Sequence, residues 1–364
     1  MIFLGLASNY SAGAVFRHLF AHGSERDSEA LRIYLAEHYG AKKSHVALYH
    51  TGRSALAVAL MSTLEKGSSV VVNAFTCKAV LDAVKEAGLT PVYADIEKDT
   101  LHYSPRTLLE LAKKDKNIKG FIIQNTLGIP TDYQGFQKIA KAGKLKIIED
   151  LAHCAGVKYD DNTEVGTIGD AIALSFGKGK SVDTISGGAV VIRGEGLKSP
   201  FQPSERAGLC NRLQDRWYPF FGLMTRALYH VKIGKYFMSF LVKTHQVQRS
   251  ADAKLDRHVR LEHYQAKLAL RQLKSFPSSG RPPLRDFKFY KNKEKKLAEF
   301  AKKGIFLSES WYETPISPRR YYKDLDFPEK SCPNAVYAAE HIINAPNWYK
   351  EPGVKILERS KNES

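Results

Sequence analysis

Between residues 44 and 193, short β-branched runs alternate with stretches of helical period, and few folds accommodate that pattern. The strand candidates are 45–50 (HVALYH), 70–73 (VVVN), 91–96 (PVYADI), 120–125 (GFIIQN), 146–150 (KIIED), 171–176 (AIALSF) and 188–193 (GAVVIR). Helical patterns fall between them over 54–64, 77–87, 105–112 and 133–142. Strand–helix alternation implies an α/β fold with a mostly parallel wound sheet and right-handed crossovers. Ligands of such sheets bind beyond the carboxyl ends of the strands.

The rhythm stops near residue 196. A Pro/Ser/Gly-bearing loop leads into 216–243 (RWYPFFGLMTRALYHVKIGKYFMSFLVK), where rings alternate with Arg216, Arg226, Lys232, Lys235 and Lys243. These charges exclude a transmembrane span, and Pro219 and Gly222 divide the segment into two short helices. A long helix is expected over 257–273, a linker over 276–287 and a basic helix over 291–303. A chain of 364 residues accommodates two domains. The expected division is a large domain over 1–250, carrying the basic aromatic segment 206–250, and a linking helix with a smaller α+β domain over 251–364.

Charge is unevenly placed. Residues 1–195 hold 23 Lys+Arg against 21 Asp+Glu, whereas 206–303 hold 23 against 7. That asymmetry points to a polyanionic partner: nucleic acid, an anionic membrane or an acidic substrate. No RNA- or DNA-binding motif accompanies it, so nucleic acid is not the expected partner. Segment 216–243 has two readings. Its rings and cations suit a membrane interface, and they equally suit a buried aromatic helix pair with a solvated basic rim. The four cysteines lack any CxxC spacing, which excludes a zinc site or disulfide framework and fits a reducing cytoplasm. The N-terminal apolar run has no basic flank, so it is not expected to be a signal peptide.

Four segments carry candidate chemistry. HTGRSAL (50–56) ends a strand and opens a helix, so the amides of Gly52, Arg53 and Ser54 can cradle a phosphate or simply begin a capped helix. Asp150 ends the strand KIIED, where a buried carboxylate needs a cationic partner, or serves as a helix cap. Lys180 follows the Gly-rich turn after Ser175-Phe176; a lysine buried there loses its proton and becomes a nucleophile, whereas most loop lysines are solvated. A paired glycine follows at 187–188.

In this order and spacing the segments resemble the pyridoxal-phosphate enzymes of the aspartate-aminotransferase fold, and more narrowly the nucleotide-sugar aminotransferases of the DegT/DnrJ/StrS family. TGRSAL resembles that family's SGTSAL, NAFTCKAV (73–80) its PSFT, LTPVYADI (89–96) its ATPVYADI, and NTLGIPTD (125–132) its HLYGxPxD. EDLAHCAG (149–156), VGTIGD (165–170), SFGKGK (175–180) and YQAKLALRQL (264–273) also match. The resemblance implies a fold-type-I transferase with pyridoxal 5′-phosphate held covalently by Lys180, which then shuttles the substrate proton. It implies that Asp150 pairs with the ring nitrogen, that His153 approaches the phenolic oxygen, and that Ser175 joins the amides of Gly52, Arg53 and Ser54 at the phosphate. The family's stacking aromatic falls at Cys77, with Phe75 nearby. Its partner-subunit Asn, in an N-x-R pattern, falls at His258, with Arg260 kept, which implies a homodimer with a shared site.

The implied activity is transfer of an amino group from glutamate to a nucleotide-linked keto-sugar, for surface polysaccharide or glycolipid. The implied location is the cytoplasm or the inner membrane face. Retention of Lys180 argues against the sugar dehydratases of the family. Cys77, His258 and an unfamiliar N-terminal segment leave two alternatives: a cofactor-bearing, membrane-associated partner without turnover, or a basic lipid- or nucleic-acid-binding protein on the same fold.

Overall fold

The computed structural model describes residues 2–3, 10–229, 231, 233–307, 312–347 and 352–358. Strands β1 (Val46–Tyr49), β2 (Ser69–Asn73), β3 (Thr90–Ala94), β4 (Ile118–Ile123), β5 (Lys146–Asp150), β6 (Ala171–Ser175) and β7 (Gly188–Ile192) form one sheet in the order β1-β7-β6-β5-β4-β2-β3. All neighbouring pairs are parallel except those of β7, which runs antiparallel to β1 and β6. Each expected strand is present within two residues of its expected ends; the β-branched runs of the inner strands are buried on both faces, whereas edge strand β3 is only partly covered.

Helices α1 (Ala12–Leu19), α2 (Glu25–His38), α3 (Gly52–Thr63), α4 (Lys78–Glu86), α5 (Pro105–Lys114) and α6 (Tyr133–Gly143) precede or cross the sheet. Several starts are set by side chains: Thr51 accepts the Ser54 N–H, Ser104 the Thr107 N–H, and Asp132 the Gly135 N–H. One core face packs β1, β2 and α3 against Tyr312, Ile316, Ala335 and Ile342 from the C-terminal part, so that part shares the core of the sheet. Beyond the sheet come α7 (Leu209–Tyr229), α8 (Gly234–Lys243), α9 (His263–Lys274) and α10 (Lys293–Lys302). Strands β8 (Arg285–Phe289) and β9 (Ile342–Pro346) pair antiparallel near α11 (Pro333–His341).

Three expectations are corrected. The 216–243 segment does not break at Pro219 and Gly222: α7 runs through both, and the interruption falls near residue 231. Lys232 lies outside the described residues, as do most of residues 1–9. The helix expected over 257–273 begins only at His263; before it, Val259 bridges Glu205 and Arg260 bridges Tyr49 in extended conformation. The linker over 276–287 ends inside β8. Among the described residues no helix is long and apolar enough to cross a membrane, and no group of three or more His, Cys, Asp or Glu could hold a metal. All four cysteines are free thiols.

Candidate active site

The carboxyl ends of β5 and β6 meet the amino end of α3. A Cβ on Gly52 would lie 2.5 Å from both Cβ and Oγ of Ser175, so glycine alone lets the helix terminus approach that hydroxyl. The N–H groups of Gly52 and Arg53 have no acceptor within the helix. The Ser54 N–H is already donated to Thr51 Oγ1 at 3.1 Å, and the Ser54 hydroxyl to the Asp256 carbonyl at 3.0 Å. Two amides, a hydroxyl and a helix dipole thus share a small volume fit for an anion such as phosphate.

Asp150, at the end of β5, is buried and accepts the Ala152 N–H at 3.0 Å. Burial raises its carboxyl above the ordinary range, opposed by that amide and by the charge of Lys180. Lys180 is half-buried, and desolvation lowers its ammonium, against the pull of Cys77 and Asp150. His153 connects the two environments. Its Nδ1 accepts the Leu127 N–H at 3.1 Å, so a neutral ring carries its hydrogen on Nε2, 2.9 Å from Lys180 Nζ. Burial and the neighbouring Lys180 and Arg285 charges hold the imidazolium well below its usual range. A neutral imidazole whose Nε2–H points at Lys180 Nζ fits these observations.

The turn that aims Leu127 at His153 is built under strain. Asn125 and Leu127 take positive φ of 46° and 59°, and Gly128 takes 83° where a Cβ would lie 2.7 Å from the His153 carbonyl. Below it, Glu149 accepts the N–H groups of Gly166, Ile168 and Gly169 and so fastens the VGTIGD loop to β5. Burial still pushes its carboxyl up to about 6.

Gly52, Arg53, Cys77, Asp150, Ser175 and Lys180 line one cavity of about 1280 Å³. Among the described residues, its lining holds ten lysines and arginines against four carboxylates, which suits an anionic substrate. The basic excess of the middle and C-terminal regions is partly housed there, in Lys235, Arg249, Lys254, Arg319 and Arg320. Cys77 caps α4, and Phe75 is buried outside the cavity lining, edge-on to Tyr312 at 5.1 Å. Tyr312 does line the cavity, close enough to Cys77 and Asp150 that both help burial to raise its phenol. His258 and Arg260 lie outside the chain's own cavity: the His258 ring meets Phe201 edge-on at 4.9 Å, and Arg260 donates to the Leu261 carbonyl.

Residues 248–256 strap the mouth. Lys178 Nζ donates to the Gln248 carbonyl at 2.6 Å, Arg53 Nη1 to the Ala253 carbonyl at 2.6 Å, and Arg320 pairs with Asp252. Lys178 sits 4.0 Å above the Tyr218 ring, and burial lowers it to about 8. Sequence reading missed Tyr312, the Arg53 clamp and Glu149; only Glu149, adjacent to Asp150 in the EDLAHCAG motif, carried a signal there.

A half-buried lysine near a strand-end carboxylate, beside an anion cradle at the mouth of a wound sheet, defines the fold-type-I transferase class. The chain belongs to the DegT/DnrJ/EryC1/StrS aminotransferase family, whose sequence model matches residues 20–351. A GDP-perosamine synthase of Escherichia coli O157:H7 is 32% identical over 155 residues, covering 42% of each protein. A dTDP-4-amino-4,6-dideoxy-D-glucose transaminase of Shigella dysenteriae is 32% identical over 154 residues, 42% of this chain and 41% of that one. The match therefore spans less than half the length of these relatives. In structure, the sugar aminotransferase Spr1654 of Streptococcus pneumoniae in its PLP form, described as putative, shares the fold with a TM-score of 0.67 at 18% identity, over 98% of this chain and 97% of that one. An E. coli GDP-4-keto-6-deoxy-D-mannose-3-dehydratase with bound hydrated PLP gives 0.67 at 16% identity, over 99% of each.

Proposed function

We propose that this protein is a pyridoxal 5′-phosphate-dependent aminotransferase that moves an amino group from glutamate to a keto-sugar carried on a nucleotide, for surface polysaccharide or glycolipid. The observation that carries this reading is one basic cavity that holds Lys180, Asp150 and the Gly52–Ser175 cradle together. Family membership and the names of its relatives support it. When bound, pyridoxal phosphate would supply an electrophilic aldehyde and a protonated ring that takes up the electrons of the C–H bond on the substrate carbon bearing the amino group.

The chain's residues then have separable tasks. Ser175 Oγ and the Gly52 and Arg53 amides hold the phosphate. The Asp150 carboxylate, raised in isolation, is stabilised as the anion by a protonated ring nitrogen and keeps the proton there. His153 Nε2–H donates toward the phenolic oxygen. Lys180 Nζ, whose ammonium form desolvation disfavours, would hold the cofactor and take the proton from the substrate carbon that bears the amino group. The surplus cations at the cavity mouth bind the nucleotide's phosphates. Arg260, with His258, serves the neighbouring subunit's phosphate in a homodimer working in the cytoplasm.

Cys77 and His258 favour one competitor, a cofactor-bearing member without turnover. Incubating cofactor-loaded protein and glutamate with a panel of nucleotide keto-sugars separates the two. Release of 2-oxoglutarate that depends on one sugar supports transfer. Visible absorbance indifferent to glutamate, with no product from any sugar, supports the competitor.

A further inference from the structure

Helix α7 is turned inside out. Its four charged residues face the protein: Asp215 is packed beside Ser186 and His50, Arg216 donates to the carbonyls of His18, Leu19 and Ala21, Arg226 donates to the Tyr10 carbonyl, and Arg212 lies 3.8 Å from Glu262. Its outer face carries Leu209, 65% exposed, Leu213, 50%, and Trp217, 44%, on three successive turns, and Met224, 37%, two turns further on. The surface continues onto α8, where Tyr236 and Phe240 are 74% and 59% exposed. It also reaches α1, packed along α7, where Phe16 and the following Phe20 meet in a tilted pair at 4.6 Å and both face outward. An exposed aromatic surface of this extent marks a docking face.

The charge around it selects the occupant. Residues 10–24 contain no acid, and residues 206–251 contain only Asp215, which is turned inward. Arg17, Lys235 and Lys243 are exposed at the edges of the apolar surface. A second copy of this chain docked across a two-fold axis would set that acid-free basic rim against itself. An anionic bilayer complements both features, taking rings into the interface and cations at the headgroups.

We propose that the α7–α8 hairpin, with the end of α1, docks the protein peripherally on an anionic phospholipid bilayer. Because Tyr218, Met238 and Val242 of the same hairpin line the cavity, docking brings the substrate cavity to the membrane surface. The proposal goes beyond amino transfer and stands whatever the substrate.

Co-sedimentation of the full-length, cofactor-loaded protein with vesicles tests it. Protein should pellet at low salt with vesicles of phosphatidylcholine and phosphatidylglycerol, stay in the supernatant with phosphatidylcholine alone, and be released by raised salt. A Trp217→Ser, Phe240→Ser variant should partition at least about tenfold more weakly. Lys113→Glu, Lys114→Glu on exposed positions of α5 should bind as wild type does. If the first variant fails to fold by circular dichroism, Phe20→Ser, Tyr236→Ser replaces it. Wild type remaining in the supernatant with anionic vesicles at low salt overturns the proposal, as does binding that survives loss of the aromatics. Wild type that ignores lipid but dissociates to smaller species in the aromatic variant also overturns it, and assigns the face to a contact between copies.

Discussion

Lys178 and Lys180 are two residues apart and both half-buried, and only their neighbours distinguish them. Lys180 faces His153 Nε2, while Lys178 is tied to the Gln248 carbonyl over the Tyr218 ring. Borohydride reduction of cofactor-loaded protein followed by peptide mapping should place the label on Lys180. Lys180→Ala should lose it and Lys178→Ala should keep it; a label on Lys178 would shift the site by two residues. Spacing alone makes the motif residues legible, because strand ends deliver them to one edge of the sheet. It says nothing of Tyr312 or the Arg53 clamp, whose partners lie 200 or more residues away. Single residues also set the acid sensitivity of the fold. His102 is buried with Nδ1 against the Tyr103 carbonyl at 2.9 Å and Nε2 accepting the Gln124 N–H at 3.3 Å, and burial lowers it to about 4. As pH falls below about 6.5 the unfolded chain takes up the proton first, so this stability is complete above that pH and lost toward pH 4. His102's share between pH 7 and 4.5 is about 2 kcal/mol. Urea unfolding at the two pH values should show His102→Gln with a correspondingly flatter dependence; an unchanged dependence would count against the assignment.

At the scale of elements, strands were legible because a β-branched run buried on both faces has few other uses. The course of α7 was not. Proline in a helix removes the N–H that would bond the carbonyl four residues back, here that of Asp215. His18 Nε2 lies 3.1 Å from that same carbonyl, and burial, by lowering His18 to about 4, keeps its ring neutral. The ring supplies the missing donor from α1, a compensation no local pattern reveals. Likewise 257–262 reads as helix, but strand-like bridges from Tyr49 and Glu205 hold it extended. His18→Ala should cost about 1–3 kcal/mol, since it orphans a buried carbonyl. In a Pro219→Ala background, where the helix regains its own N–H, chemical unfolding should show a clearly smaller cost. Equal costs in both backgrounds would mean that His18 stabilises only through its edge contact with Tyr264.

For the whole molecule, His258 and Arg260 stand apart from the chain's own cavity, which is how residues serving a neighbour's site would stand. A homodimer with shared sites makes a definite prediction. Lys180→Ala and Arg260→Ala subunits, each inactive, should regain about a quarter of wild-type activity when mixed and reassembled, because half the dimers hold one intact site. No recovery, with mixed dimers verified by mass, would place Arg260 outside the neighbour's site.

The central claim, that this basic cavity accepts an amino group from glutamate, is tested most directly by a single half-reaction. Cofactor-loaded protein is mixed with glutamate alone, and absorbance and 2-oxoglutarate are followed together. The account predicts loss of the visible band with one 2-oxoglutarate released per loaded site, and neither change in Lys180→Ala. A yellow protein whose spectrum and 2-oxoglutarate yield stay unchanged at saturating glutamate would contradict it.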